Sequence, residues 1–298
     1  MRVLIIGGSG FLSGTLARVA ASLGHAVTVV TRGQRPVPAG VEVVTVDRTD
    51  RAGFARTIAE LNAHWDLVAD AICFTPDDAI QDVEVFAGRT DRLVMVSTDF
   101  VYDPNQRKTP QTEHAEAYAL AGYGGLKRQA EVVFEQTPAK GLPWTILRPS
   151  HIYGPGSLPG CLPLHGRDPQ LVGHILAGRP LRLVGGGAFL QHPVFAPDLA
   201  ETILSAAVNP AATGRTFNVA GPEVIESRAY YRVLAALLGR EVIIEDVPAN
   251  GFLASDPDKA PFCCDRVYDL TALRSAGINL PATQLEDGLQ RQLETLDR

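Results

Sequence analysis

The chain has 298 residues, 46% of them hydrophobic and 20% charged, a composition that supplies a sizeable globular core. Its net charge of −6 comes with no basic tract longer than pairs such as Arg107-Lys108, so nucleic acid is not the favoured partner. No apolar run reaches membrane-spanning length, and the run Val3 to Ile6 is too short for a secretory leader, so a cytoplasmic protein is expected.

Val3 to Ile6 reads as a buried parallel strand. Gly7-Gly8-Ser9-Gly10-Phe11-Leu12-Ser13-Gly14 follows and opens a helix with Leu12, Leu16, Val19 and Leu23 inward, ended by Gly24-His25. Strand, glycine turn and helix together suit a dinucleotide, because bare backbone can approach a pyrophosphate and the first N–H groups of the helix face it. Gly7, Gly10, Phe11 and Leu12 are the cofactor-binding candidates in that turn. The second strand, Ala26 to Val30, ends at Thr31-Arg32-Gly33-Gln34-Arg35, where an NAD-type protein carries an acid for the ribose hydroxyls. Arg32, with Arg35, instead suits the 2′-phosphate of NADP(H); the competing reading is a pair of solvated surface arginines. Val41 to Val46 is a third strand that brings Asp47 and Arg48 to the adenine end of a cofactor, and Asp50 caps a helix running to Leu61. Asp66 to Ile72 is a fourth strand. Asp70, inside that apolar run, either lies at the cofactor edge or pairs with a buried donor. Pro76-Asp77-Asp78 opens a helix to about Ala87.

The fifth strand starts at Leu93-Val94-Met95-Val96 and runs into Ser97-Thr98-Asp99, so polar groups stand at its carboxyl end, where open α/β sheets hold their ligands. Farther on, Tyr123-Gly124-Gly125-Leu126-Lys127 begins a helix in which Tyr123 and Lys127 share one face. A free phenol titrates near ~10, and one cationic neighbour lowers an acid by roughly 1–3 units. Lys127 alone therefore brings Tyr123 to the edge of neutrality, and the positive ring of an oxidised nicotinamide completes the shift. Thr98 steadies the substrate oxygen while Tyr123 takes or returns its proton. Gly124 and Gly125 mark close approach by another element or a frayed first turn. The bland alternative, an exposed helix pair, is disfavoured by the polar strand end that precedes it.

Pro143 to Arg148 is a sixth strand, and strands alternating with helices mean a doubly wound parallel α/β sheet of the Rossmann-like kind. Gly154 to Gly166 is rich in Pro and Gly and leaves the regular layers. Beyond it come a helix over Leu171 to Ala177, a strand over Leu181 to Val184, a turn at Gly185-Gly186-Gly187 and a helix over Asp198 to Val208. A strand at Thr216 to Val219 and helices over 227–239 and 283–296 complete the chain. Residues 1–150, with 196–220 returning to them, form the dinucleotide-binding part; 151–195 and 221–298 form a smaller C-terminal substrate-binding lobe. Cys73, Cys161, Cys263 and Cys264 show no CxxC and no histidine at zinc spacing, so no metal is expected, and adjacent Cys263 and Cys264 read as small hydrophobes.

GGSGFLSG, VSTDFVYD, YGGLK, LRPSHIYGPG, PDLA and FNVAGPE together make the chain resemble an extended short-chain dehydrogenase/reductase of the NAD-dependent epimerase/dehydratase kind, almost from end to end. Thr31-Arg32-Gly33-Gln34 and Phe74-Thr75-Pro76-Asp77-Asp78-Ala79 also resemble an atypical branch that includes chloroplast stem-loop RNA-binding proteins. The resemblance implies that Thr98, Tyr123 and Lys127 fall on a Ser/Thr-Tyr-Lys catalytic triad, that the cofactor is NAD(P), and that the protein is a homodimer. It sets Asp99 where nucleotide-sugar dehydratases carry an acid, but Phe100 stands where their glutamate follows, which argues against dehydration. It sets His151 in the place of an asparagine, and Gln191 in the place of an arginine that grips a diphosphate. A glutamine cannot supply that bidentate clamp, which puts a UDP- or dTDP-sugar in doubt. Thr98, Asp99, His151 and Gln191 are the substrate-binding candidates. The expected function is an NAD(P)-dependent epimerase or oxidoreductase acting on a secondary alcohol or ketone of a sugar-like or nucleotide-sugar substrate, the net reaction being left open between epimerisation and redox. A non-catalytic nucleotide-sensing or RNA-binding module is the second reading; the complete triad and the acidic balance weigh against it.

Overall fold

The computed structural model describes residues 1–296; residues 297–298, at the end of the last expected segment, lie outside them. In chain order the elements are β1 (Arg2–Ile6), α1 (Phe11–Ser22), β2 (Ala26–Thr31), β3 (Glu42–Thr45), α2 (Arg51–Glu60), β4 (Leu67–Asp70), α3 (Pro76–Phe86), β5 (Leu93–Val96), α4 (Gly122–Gln136) and β6 (Trp144–Pro149). There follow β7 (Ile152–Tyr153), α5 (Leu171–Leu176), β8 (Leu181–Val184), β9 (Leu190–Gln191), β10 (Val194–Phe195), α6 (Ala196–Val208), β11 (Arg215–Val219), β12 (Ile225–Glu226), α7 (Ser227–Leu237), β13 (Ile244–Val247), α8 (Ala249–Ser255), α9 (Thr271–Ser275) and α10 (Leu285–Glu294). A seven-stranded sheet runs β11-β6-β5-β4-β1-β2-β3, and its pairings are parallel throughout. The α/β, Rossmann-like class read from the sequence is thus the observed one.

The sheet is built by alternation along strands buried on both faces. Val3 and Ile5 of β1 point into one core with Leu16, Ala17 and Ala20 of α1 and Leu199, Ile203 and Ala206 of α6. Leu4 and Ile6 point the other way, to Phe54 and Ile58 of α2, Phe86 of α3, and Ala130 and Phe134 of α4. Each such aliphatic burial stabilises by about 1.5–3 kcal/mol. A third core gathers Tyr153, Leu171, Leu183, Phe195, Tyr230, Leu234 and Leu289 outside the large sheet. Its small sheets pair β7 with β10, β9 with β12 and β8 with β13.

From β1 the chain winds outward through β2 to β3, then crosses back so that β4 pairs with the other edge of β1. The carboxyl ends of β1 and β4 therefore diverge at a topological switch point, and a crevice opens there. One inward residue differs from expectation: Leu23 is 58% exposed, because α1 ends at Ser22 and its small Ala17 and Ala20 make the close approach to α6. The fourth and fifth strands stop at Asp70 and Val96, short of Ile72 and Thr98, because the Asp70 and Thr98 side chains bond the backbone just beyond.

Candidate active site

Gly7 and Gly8 hold φ of 119° and 87°, the left-handed half of conformational space, as the chain turns from β1 into α1. A β-carbon on Gly8 would clash with the Val29 side chain, so only glycine lets the turn lie against β2. The turn borders a cavity of about 360 Å³ lined by Gly7, Gly10, Arg32, Asp47, Ile72 and Phe74 among others, within the usual size of ligand sites. A larger groove of about 790 Å³ lies among Val172, Leu237 and Leu293, but Asp168 is the one ionisable residue in its lining, so the chemistry resides in the first.

Phe74 and Asp78 at the start of α3 line the far wall, and α4 stands behind Phe74. Thr75 caps α3 through a bond from Asp78 N, and the Asp78 carboxylate accepts from Phe74 N and Thr75 N, which fixes the Phe74 ring at the mouth of the cavity. On α4, the Glu131 carboxylate accepts from Ser97 Oγ at 2.6 Å and from Arg148 Nε and Nη2 at 2.9 and 2.8 Å, which ties the helix to the ends of β5 and β6. A β-carbon on Gly124 would overlap the Phe100 carbonyl oxygen and one on Gly125 the Leu120 backbone, so the first glycine marks close approach by the turn that follows β5 and the second by the segment leading into α4.

Tyr123 is 48% exposed and stands between aromatic neighbours, its ring centroid 6.4 Å from Phe74 and 6.2 Å from Phe100. It is therefore adjacent to the cavity that the glycine turn borders. The packed surroundings push its pKa above the ordinary phenol value, the charge of Asp99 adds to that, and the Thr98 hydroxyl and Arg167 oppose it. Lys127, one turn on, is buried; its Nζ donates to Val96 O at 2.6 Å and Cys73 O at 2.8 Å and lies 5.3 Å from the Phe74 centroid. Burial draws its pKa down. An ammonium has three donors, so one remains for a ligand hydroxyl. The opposing cation felt at the phenol is thus Arg167 rather than Lys127. Thr98, extended just beyond β5, accepts from Phe100 N at 3.3 Å and donates to Asp99 Oδ1 at 3.4 Å, and its hydroxyl acts to lower the phenol's pKa.

Two candidates are engaged elsewhere. The Arg48 guanidinium is buried against Asp70, Asp82 Oδ1 at 3.0 Å, Gln81 Oε1 and the Asp78 carbonyl, so it braces the cavity floor and has no fork left for a cofactor. Asp70 takes the second of its two expected roles, pairing with a buried donor. The Asp99 carboxylate accepts from Arg266 Nε at 2.8 Å and from the Tyr268 hydroxyl, and the charges of Arg266 and Arg107, together with these bonds, hold its pKa below the usual range against burial. It is a buried ion-pair member, not an open substrate contact. Those partners were illegible locally, since they lie 167 and 169 residues away.

The remaining candidates differ in their surroundings. Arg32 is exposed, lines the cavity and makes no ion pair among the described residues, while Asp47 accepts from Thr49 N and Oγ1 at 2.9 and 2.8 Å. Phe11 begins α1 and Leu12 packs partly against the first core. The His151 imidazole lies 3.7 Å from Cys161 Sγ; burial holds its pKa down to about 3 and pushes the thiol up to about 12, so both are neutral. The Gln191 amide is 1% exposed, and neither its Nε2 nor its Oε1 has a partner. All four cysteines are free thiols. Phe74 carries more of the site than its sequence showed; its place just beyond β4 was the available signal. Among the described residues no helix is long and apolar enough to cross a membrane.

Known proteins agree with this architecture. The chain is 30% identical over 282 residues to the 2'-dehydrokanamycin reductase of Streptomyces kanamyceticus, covering 92% of this chain and 78% of that one. It is 24% identical over 238 residues to the chloroplast stem-loop binding protein of 41 kDa b of Arabidopsis thaliana, covering 75% and 60%. The solved structure of Bordetella bronchiseptica WbmG in complex with NAD and UDP superposes with a TM-score of 0.79 at 19% identity, over 99% of this chain and 94% of that one. The model of the NAD dependent epimerase/dehydratase family matches residues 3–220, and the chain belongs to that family.

Proposed function

We propose that the protein is an NAD(P)-dependent reductase of a ketone on a sugar-like small molecule, with Tyr123 as the acid, Thr98 as the hydroxyl that binds the reacting oxygen and Lys127 as the residue that holds the nicotinamide ribose. The observation that carries this reading is the position of Tyr123, its ring 6.4 Å from Phe74 on the wall of the glycine-turn cavity, with the Thr98 hydroxyl among the groups that act on the phenol. The bare turn at Gly7 and Gly8, the cavity and the remaining donor of Lys127 fit a dinucleotide. When bound, the cofactor supplies hydride at its nicotinamide; the chain's own residues do the rest.

A raised phenol pKa keeps Tyr123 protonated at neutral pH, the state required to donate to an oxygen that gains negative charge as a carbonyl is reduced. Thr98 fixes that oxygen beside it. The Gln191 amide, with a free donor and a free acceptor, suits a hydroxyl or amine of the substrate better than a phosphate. The 30% relative is by name a reductase, which supports net redox over epimerisation. The test is loss of reduced-nicotinamide absorbance when the protein meets keto-glycosides, run beside an assay for interconversion of sugar epimers. Epimer interconversion without net cofactor oxidation would replace this reading with the epimerase one.

Both NADH and NADPH are taken as cofactors, with Arg32 favouring the phosphorylated form. Arg32→Ala is expected to weaken NADPH by roughly tenfold, the worth of one charge-assisted contact to phosphate, and to leave NADH within about twofold. Equal weakening of both, measured by fluorescence titration, would remove Arg32 from the 2′-phosphate.

A further inference from the structure

The segment between β7 and α5 folds back over the start of α1. A β-carbon on Gly156 would lie 3.6 Å from Arg18 Nη2 and 3.9 Å from the Phe11 ring. Farther along the same segment, the guanidinium carbon of Arg167 stands 5.3 Å from the centroid of that ring. Phe11 is the first residue of α1, directly after Gly10, so both contacts are made at the glycine turn. Arg167 is exposed, makes no ion pair among the described residues and holds φ of 51°, a conformation that L side chains adopt rarely. Strain of that kind at a loop residue is a pointer to function.

A guanidinium seated over an aromatic face keeps its N–H edge free, and that planar fork matches two phosphate oxygens at once. The seat of Arg167 over Phe11 places the cation at the turn, and its charge reaches Tyr123, where it opposes the rise in pKa, and His151, where it adds to the fall. We propose that Arg167 binds the pyrophosphate seated at the Gly7–Gly10 turn and so clamps the 154–167 segment over the cofactor. This rests on the dinucleotide reading of the site.

A nucleotide sugar also offers a pyrophosphate; the contact with Phe11 at the head of α1 favours the cofactor's. The test is fluorescence titration of NADH and NADPH, and calorimetric titration of UDP as the probe for a substrate diphosphate, on wild type, R167Q and R167K. R167Q is expected to melt with the wild type when unliganded, since the side chain is exposed, and to lose roughly tenfold or more in affinity for both dinucleotides. R167K recovers part of the loss, because an ammonium keeps the charge but not the fork. UDP binding stays unchanged. Unaltered dinucleotide affinity in R167Q overturns the proposal, as does a loss confined to UDP, which would assign the cation to a substrate phosphate. A wild type that binds neither dinucleotide removes the cofactor reading and the proposal with it, whereas an unaffected R167Q beside a wild type that binds removes the proposal alone.

Discussion

Tyr123→Phe is expected to lower turnover by about 10²–10⁴-fold, the usual worth of a positioned general acid, while dinucleotide affinity changes by no more than about twofold. The ring survives in this variant, so its contacts with Phe74 at 6.4 Å and Phe100 at 6.2 Å survive too, and only the hydroxyl beside Thr98 is lost. The pH profile gives the sign. Burial and Asp99 raise the phenol's pKa above the ordinary ~10, and a proton donor works only in its protonated form. Reduction by the wild type should therefore hold level through neutral pH and fall as pH rises through that pKa, while the reverse oxidation climbs over the same range. In Tyr123→Phe the falling limb disappears along with most of the rate. Steady-state kinetics against pH, with cofactor affinity measured in parallel, check this. A variant that turns over at the wild-type rate would show that the phenol moves no proton.

The strands that carry the site were legible because burial on both faces favours apolar residues: Leu93–Val96 and Leu67–Ala69 read as continuous apolar runs. The glycine turn was legible for a related reason, since its backbone conformation and its contact with Val29 admit no other residue at position 8. Polar residues at strand ends were not decidable in the same way. Asp99 and Arg48 stand where ligand contacts occur, yet each turns to a partner remote in sequence: Arg266 and Tyr268 for the first, Asp70 and Asp82 for the second. No local pattern tells an open carboxylate from a neutralised one. The two-residue strands Ile152–Tyr153 and Val194–Phe195 were invisible for the same reason, since each exists only through the other. Lys127 lies between these cases. Its spacing from Tyr123 was readable, but the carbonyls of Cys73 and Val96 that receive its ammonium belong to the loop after β4 and the end of β5.

Arg48→Met should cost stability rather than chemistry. The substitution keeps the apolar stem and removes the one cation shared by Asp70 and Asp82, both of them fully buried. Leaving buried carboxylates without their partner costs about 3–5 kcal/mol, and the unfolding midpoint should fall on the order of ten degrees. The loss should depend on pH, and the sign follows from Asp82. Burial and the neighbouring Asp70 already raise its pKa above the usual carboxylate value, and without the opposing charge of Arg48 it rises further. An acid whose folded pKa lies above its unfolded one favours the fold fully below the unfolded value and loses that contribution as pH rises through the folded value. The deficit against wild type should therefore shrink on acidification toward about pH 5 and widen toward about pH 8, and adding Asp82→Asn should recover part of it. Thermal melts across that range decide the matter: a deficit independent of pH would mean that packing, not charge, was lost. Dinucleotide affinity of the folded variant separates the structural role from the ligand role. If the guanidinium braces the floor beneath Asp47 and Thr49, titration well below the lowered midpoint should find that affinity within about threefold of wild type, whereas a cofactor contact would lose roughly tenfold or more.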